Sequence, residues 1–340
     1  MPVIQIENLS KHFRVLNRRE GLVGSLRDLF STDYRTVKAV DDISLNIEPG
    51  EIVGYIGPNG AGKSTTIKMM TGVLQPSSGT LLVNGNVPFK NRKKNAQNIG
   101  VVFGQRTQLW WDLPVIESFK ILKEIYRVDA ETFKAQMATF NKLVDLEALY
   151  HKSVRSLSLG QRMLCDITAA FVHNPRVVFL DEPTIGLDIA VKARIRTLIR
   201  ELNNQHQTTI VLTTHDISDI EALCQRVVIL DKGRLIFDDA IQKVNYLFGA
   251  FRTLRLQIFP FAPETLSAFA NKLDSAFNCP DAFTVSSDES GWIEVTIDQA
   301  KVPLRDVLNL AMGDFPVSDV QIAEISMGSV IQKVYEGVKV

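Results

Sequence analysis

Cysteine and net charge are both scarce in this chain. Only three cysteines occur in 340 residues, Cys165, Cys224 and Cys279. They lie far apart and match no metal-ligand or redox spacing, so three free thiols in a reducing compartment are expected. Lysine plus arginine and aspartate plus glutamate balance at 38 each. That balance removes the global field that would grip nucleic acid. The one dense basic run, Lys90, Arg92, Lys93 and Lys94, reads as a solvated loop rather than a phospholipid or nucleic-acid contact. No apolar stretch approaches the ~18 residues needed to cross a bilayer. The N-terminal residues include Glu7, Lys11 and Arg14 and hold no apolar core of signal-peptide length. Any membrane role is therefore expected to run through a partner. Internal repeats and low-complexity segments are absent as well. The length, 340 residues, suits one large domain with a smaller one.

What is present is concentrated at residues 57–64, which read Gly-Pro-Asn-Gly-Ala-Gly-Lys-Ser. The alternation of Ile52, Val53, Tyr55 and Ile56 before it predicts a strand, and Thr65 to Gly72 after it a short helix. Strand, glycine-rich loop and helix form the context of a phosphate-binding P-loop. Gly57, Gly60 and Gly62 let successive backbone N–H groups turn inward, with Asn59 and Ala61 between them and Thr65 following. The helix N-terminus adds its partial positive charge. Lys63 is placed to reach the terminal phosphates and the Ser64 hydroxyl to ligate Mg²⁺. A nucleoside triphosphate is the expected ligand.

Around this loop the chain alternates. Val3 to Ile6 and Ile43 to Ile47 read as half-exposed strands. Between them an insertion, 16–36, carries Leu22, Val23, Leu26, Leu29 and Phe30 at helical spacing, which predicts an amphipathic helix against its own domain or a partner. Residues 117–150 read as helical, with Phe119, Leu122, Ile125, Phe140, Leu143 and Leu146 apolar. Val177–Leu180 and Thr209–Leu212 read as parallel strands with a crossover helix. Val227–Leu230 and Arg234–Phe237 read as a closing hairpin around Asp231–Gly233. From about residue 249 the texture changes to strand, helix, hairpin, helix and strand, a β-α-β-β-α-β order that predicts a small α+β ferredoxin-like domain.

Two further clusters carry chemistry. Val177–Leu180 ends in Asp181 and Glu182. Asp181 can hold Mg²⁺ opposite Ser64, and Glu182, one residue on, can polarise the attacking water as a general base. Ser156 to Arg162 contains a Ser-x-Gly turn opening a helix, a second anion-binding N-terminus. One phosphate tail does not need two such sites, so this one is expected to serve the nucleotide of a second copy.

With these motifs in this order, residues 1 to about 245 resemble the ATP-binding subunit of an ATP-binding-cassette (ABC) transporter. The resemblance implies an α/β P-loop NTPase cassette, a mixed sheet core plus a helical subdomain. The domains expected are 1–248 for the cassette, with the helical subdomain at 115–165, and 249–340 for the accessory domain. It also implies ATP and Mg²⁺ as cofactors and two subunits meeting head to tail. Each site would pair the P-loop of one chain with the signature of the other, Leu157 to Gln161 here, Ser158 and Gly160 facing the γ-phosphate. Leu159 stands where the family usually has a second glycine. Phe13 resembles the aromatic that stacks on adenine, a plain core phenylalanine being the competing reading. Gln105 resembles the glutamine that senses Mg²⁺ and the water, and Gln108 fits that role less well. Asp188 resembles the aspartate that signals across the dimer, His215 the histidine that contacts the γ-phosphate, and Thr66 a contact to the α-phosphate. His12, His151, His173 and His206 read as structural.

Phe103-Gly104-Gln105 and Trp110 to Pro114 resemble bacterial drug or viologen export cassettes, which pair with separately encoded permeases and carry an extra C-terminal domain. The insertion keeps a polysaccharide exporter in view. The resemblance places the subunit on the cytoplasmic face of the inner membrane, with its permeases contacted near Trp110 and Trp111. A soluble cassette ATPase acting on ribosomes or DNA is the competing class. It is disfavoured by a single P-loop, by neutral charge, and by a Lys63 to Asp181 separation of 118 residues (181 − 63) without sustained heptads. A nucleotide-binding regulator without turnover is disfavoured by Glu182 and His215. Nucleic acid is not an expected partner.

Overall fold

A computed structural model describes residues 1–16, 34–104, 106–214, 216–243, 251–259, 263–279, 282–287 and 291–324. The amphipathic helix expected near residues 22–30, Gln105 and His215 lie outside them. The chain divides into two compact units, Met1–Ile241 and Gln242–Val340, so the first ends a few residues before the expected boundary.

The first unit is built on a six-stranded sheet in the order β5-β6-β7-β3-β8-β9. These strands are β3 (Ile52–Ile56), β5 (Ile99–Phe103), β6 (Val177–Asp181), β7 (Thr209–Thr213), β8 (Arg226–Asp231) and β9 (Arg234–Ala240). All neighbours are parallel except the β8–β9 hairpin. Buried parallel strands lose their alternation, which is why Val177, Val178, Phe179 and Leu180 form an unbroken apolar run. A second, antiparallel sheet has the order β2-β1-β4, from β1 (Ile4–Leu16), β2 (Tyr34–Ile47) and β4 (Ser78–Val83). Ile4, Ile6, Ile43 and Ile47 of this sheet share one core with Val53, Tyr55, Phe179 and Val211 of the first.

β1 and β2 run well beyond the expected Val3–Ile6 and Ile43–Ile47, pairing out to Leu16 with Tyr34. The ends of the expected insertion are therefore strand. Their outer residues are mostly exposed on both faces, so no burial period marks them in the sequence.

α1 (Lys63–Met70) starts directly out of the P-loop, two residues earlier than expected. The region read as one helical stretch is two helices, α3 (Val115–Tyr126) and α4 (Ala130–Val144), after a short α2 (Arg92–Ala96). Arg127 turns left-handed at φ 56° to end α3. Asp129 then caps α4 by accepting from the Thr132 N–H at 2.8 Å. Phe119, Leu122, Phe140 and Leu146 are buried as the spacing predicts, but Ile125 is exposed. Among the described residues of this unit the further α-helices are α5 (Leu159–Phe171), α6 (Ile189–His206) and α7 (Ile217–Leu223).

The second unit runs β10 (Phe251–Ile258), α8 (Pro263–Phe277), β11 (Phe283–Ser287), β12 (Trp292–Asp298), α9 (Leu304–Asp314), β13 (Val317–Glu324). Its antiparallel sheet has the order β11-β12-β10-β13. Leu254, Leu256, Ile293, Val295 and Ile297 pack with Phe269, Leu273 and Val307 into its own core. None of the described helices is long and apolar enough to cross a membrane.

Candidate nucleotide site

β3 delivers the chain into the P-loop from a fully buried strand. At Gly57 (φ 151°) a β-carbon would lie 2.2 Å from the Leu230 carbonyl oxygen, and at Gly62 (φ 105°) 2.5 Å from that of Ala39. Only glycine fits such backbone approaches. A cleft of about 340 Å³ opens on this loop, lined by residues 59–65 together with Val37, Lys38, Ala39 and Glu182. Lys63 Nζ donates to the Gly57 carbonyl at 2.6 Å and to that of Pro58 at 3.1 Å. Burial pulls its ammonium below the ordinary lysine value, and the charges of Glu182 and Asp181 oppose that shift.

Thr66 departs from its expected role. It is buried, and its hydroxyl donates to the Gly62 carbonyl at 3.0 Å. The helix turns it away from the cleft, so it supports the loop from behind rather than facing phosphate. Phe13 does not line the cleft either, but its cross-strand partner Val37 does. The Phe13 ring is partly exposed, with Lys11 Nζ 5.2 Å from its centroid. A core phenylalanine would be covered on both faces; this ring is not.

Asp181 and Glu182 sit at the carboxyl end of β6. Ser64 Oγ lies 3.4 Å from Asp181 Oδ2, and Asp181 Oδ1 accepts from the Thr213 hydroxyl at 2.5 Å. A hydroxyl and a carboxylate oxygen facing one another suit a hard cation such as Mg²⁺, which takes few protein ligands and completes its shell from phosphate and water. Glu182 has φ 54°, a left-handed backbone uncommon outside glycine. Its N–H donates to the Thr213 carbonyl at 3.0 Å.

The signature turn is not part of this cleft. Ser158 is exposed and caps α5, its Oγ accepting from the Gln161 N–H at 3.2 Å, while Gln161 Oε1 accepts from the Ser158 N–H at 3.1 Å. Gly160 is buried where a β-carbon would come within 2.6 Å of Val191 Cγ1. Val191 belongs to the first turn of α6, which Asp188 caps by accepting its N–H at 2.9 Å. The signature and Asp188 are thus neighbours of one another and separate from the P-loop lining.

Several polar residues around the site carried no signal in the sequence. Asp219 is fully buried and accepts from Thr184, from the Thr214 hydroxyl at 3.1 Å and from Arg196 Nε at 2.6 Å. It ties the loop before Asp188 to the end of β7. Burial pushes Asp216 up, but Lys192, hydrogen-bonded at 2.6 Å, and Ser218 outweigh it and bring the carboxyl down to about 2. On α5, burial pushes Asp166 up to about 6, against the Thr107 hydroxyl at 2.8 Å and the Gln108 N–H at 3.0 Å. Gln108 spends its side chain on the Asp166 carbonyl at 2.9 Å. Trp110 and Trp111 are both partly exposed, and Arg162 of α5 lies 5.4 Å from the Trp111 ring centroid.

A larger cleft of about 520 Å³, lined by Met1, Asn84, Arg176 and His206 among others, includes no P-loop residue and neither acid of β6.

The family model for "ABC transporter" matches residues 40–185. The chain is 33% identical over 228 residues to the ABC transporter ATP-binding protein NatA of Bacillus subtilis, covering 64% of this chain and 92% of that protein. The chain belongs to the ABC transporter ATP-binding family. It is also 31% identical to the methionine import ATP-binding protein MetN 2 of Oceanobacillus iheyensis, across 65% of this chain and 66% of that one. Among solved structures it resembles a dimeric ATP-binding cassette in a post-hydrolysis state with ADP and Pi bound, with a TM-score of 0.57 and 25% identity over 70% of this chain and 98% of that one. The first unit therefore has the ABC cassette fold, and the cassette is an ATPase that binds ATP with Mg²⁺. The relatives include an import protein, so family membership leaves the direction of transport open.

Proposed function

We propose that this chain is the energy-coupling subunit of a bacterial ABC exporter. In this reading two copies close head to tail on ATP and drive separately encoded permeases from the cytoplasmic face of the inner membrane. The observation that carries it is the division of the nucleotide machinery. The P-loop and Glu182 line one cleft and Asp181 sits 3.4 Å from Ser64 at its edge, while Ser158 caps a helix outside that lining. A signature presented to solvent is complete only when a second chain brings its own P-loop to it.

Within the closed site the P-loop N–H groups and Lys63 hold the β- and γ-phosphates and stabilise charge that develops on them. Ser64 and Asp181, with Gln105, would hold Mg²⁺, which would neutralise phosphate charge. Glu182 accepts the proton of the attacking water, and Phe13 stacks on the base. Ser158, Gly160 and Gln161 of the partner face the γ-phosphate, together with His215 of the same chain. Asp188 reports the state of one site to the other. Phosphate release then lets the dimer reopen.

Export is supported by the likeness of Phe103-Gly104-Gln105 and of Trp110 to Pro114 to export-type cassettes. Two partly exposed indoles at that segment suit a permease contact, since tryptophan is enriched at binding hot spots. The second unit, with its β-α-β-β-α-β order, fits a ferredoxin-like accessory domain that regulates or assembles the complex. Affinity purification from native membranes tests the partner. A permease should co-purify, and Trp111→Ala should weaken its retention about thirtyfold, roughly 2 kcal/mol, while leaving ATP affinity unchanged. Absence of any permease, or undiminished retention by Ala variants at both Trp110 and Trp111, would count against the reading. Inverted vesicles that fail to accumulate the cargo of that permease would refute export.

A further inference from the structure

We propose that Thr213 is a positioning residue that sets the metal-facing orientation of Asp181 and holds the backbone of Glu182. The inference rests on the reading of Asp181 as the metal carboxylate. Thr213 is the last residue of β7, directly opposite Asp181 in the parallel register, and is fully buried. A threonine hydroxyl has one hydrogen to give and lone pairs to receive. Here the hydrogen goes to Asp181 Oδ1 at 2.5 Å. A lone pair receives the Glu182 N–H at 3.1 Å. One buried side chain thus bonds the two acids on which hydrolysis depends.

The consequence for Asp181 is directional. With Oδ1 bonded to Thr213, the carboxylate plane is fixed and Oδ2 is the oxygen presented to Ser64, 3.4 Å away. The consequence for Glu182 is conformational: its left-handed backbone, φ 54°, is tied through its N–H to both the hydroxyl and the carbonyl of Thr213. The next residue, Thr214, lies just past the strand and gives its hydroxyl to Asp219 at 3.1 Å. The Thr213 hydroxyl is thus bonded to both Asp181 and Glu182. Partners that orient a metal ligand are typically worth about 10–100-fold in metal affinity.

Thr213→Val removes the hydroxyl and keeps the shape. In the full-length protein, Mn²⁺ binding followed by electron paramagnetic resonance, with a non-hydrolysable ATP analogue present, should weaken about tenfold. Nucleotide affinity in EDTA should be unchanged, and the Mg²⁺ concentration for half-maximal ATPase should rise in parallel. Thr213→Ser should restore Mn²⁺ affinity, and Thr213→Cys, a weaker donor, should fall between. If the valine variant does not fold, the serine and cysteine pair decides. Asp181→Asn is the control for the metal site: unchanged Mn²⁺ binding there overturns the Asp181 reading itself. With that control lost as expected, wild-type Mn²⁺ affinity in the valine variant, equal affinity of the serine and cysteine variants, or a matching loss of metal-free nucleotide binding would overturn the role of Thr213.

Discussion

Asp166 shows how a single buried group that no motif announces can hold the segment at Thr107 and Gln108. Burial pushes its carboxyl from the ordinary 3.8 up to about 6, more than Thr107, Gln108 and the Arg162 charge bring it down. Between about pH 4 and 6 the folded chain holds this proton more firmly than the unfolded one. Its contribution to stability therefore falls as pH rises through that window and is level above it. An Asp166→Asn variant keeps an acceptor for both donors and cannot ionise. The stability of that variant relative to wild type should rise from pH 4 to pH 7 by up to about 3 kcal/mol. Urea unfolding at a series of pH values checks this, and a flat difference would show that Asp166 does not titrate there. The residues legible from sequence were those whose chemistry is local. Gly57 to Ser64 act through consecutive backbone groups, so spacing alone exposes them. Thr213 and Asp219 act through partners brought near by strand pairing, and spacing says nothing about them.

At the scale of elements, the first turns of α5 and α6 make one unit. The resemblance assigns Gly160 to phosphate recognition, and the structure adds that its missing side chain is where Val191 packs. Gly160→Ala should destabilise the first unit by roughly 1–3 kcal/mol through overpacking. Adding Val191→Ala to the same chain should recover most of that loss. Thermal melting of the single and double variants measures it, and an unrelieved loss in the double variant would place the clash elsewhere. The strands β3, β6 and β7 were readable because they are buried and their central residues are almost all apolar. The outer parts of β1 and β2 were not, since exposed pairing leaves no period. Arg127 and Asp129 divided a helical pattern through a left-handed turn and a cap, signals that the apolar spacing of Phe119, Leu122 and Phe140 overrode.

At the scale of the molecule, each unit has its own apolar core, and the nucleotide motifs all fall in the first. The cassette could be read from sequence because its chemistry demands fixed residue types in a fixed order. The topology of the second unit was legible from alternation, but its role was not, since no chemistry-bearing cluster marks it. We infer that each hydrolytic site is completed by the Ser158 turn of a second copy and fired by Glu182. Analytical ultracentrifugation of Glu182→Gln with ATP and Mg²⁺ tests both halves at once. The variant should keep ATP binding, lose about two to four orders of magnitude in turnover, and sediment as a dimer only with nucleotide. A further Ser158→Arg substitution should return it to monomer without changing ATP binding. Near-normal turnover, a monomer at saturating ATP, or a dimer indifferent to both nucleotide and Ser158 would contradict the account.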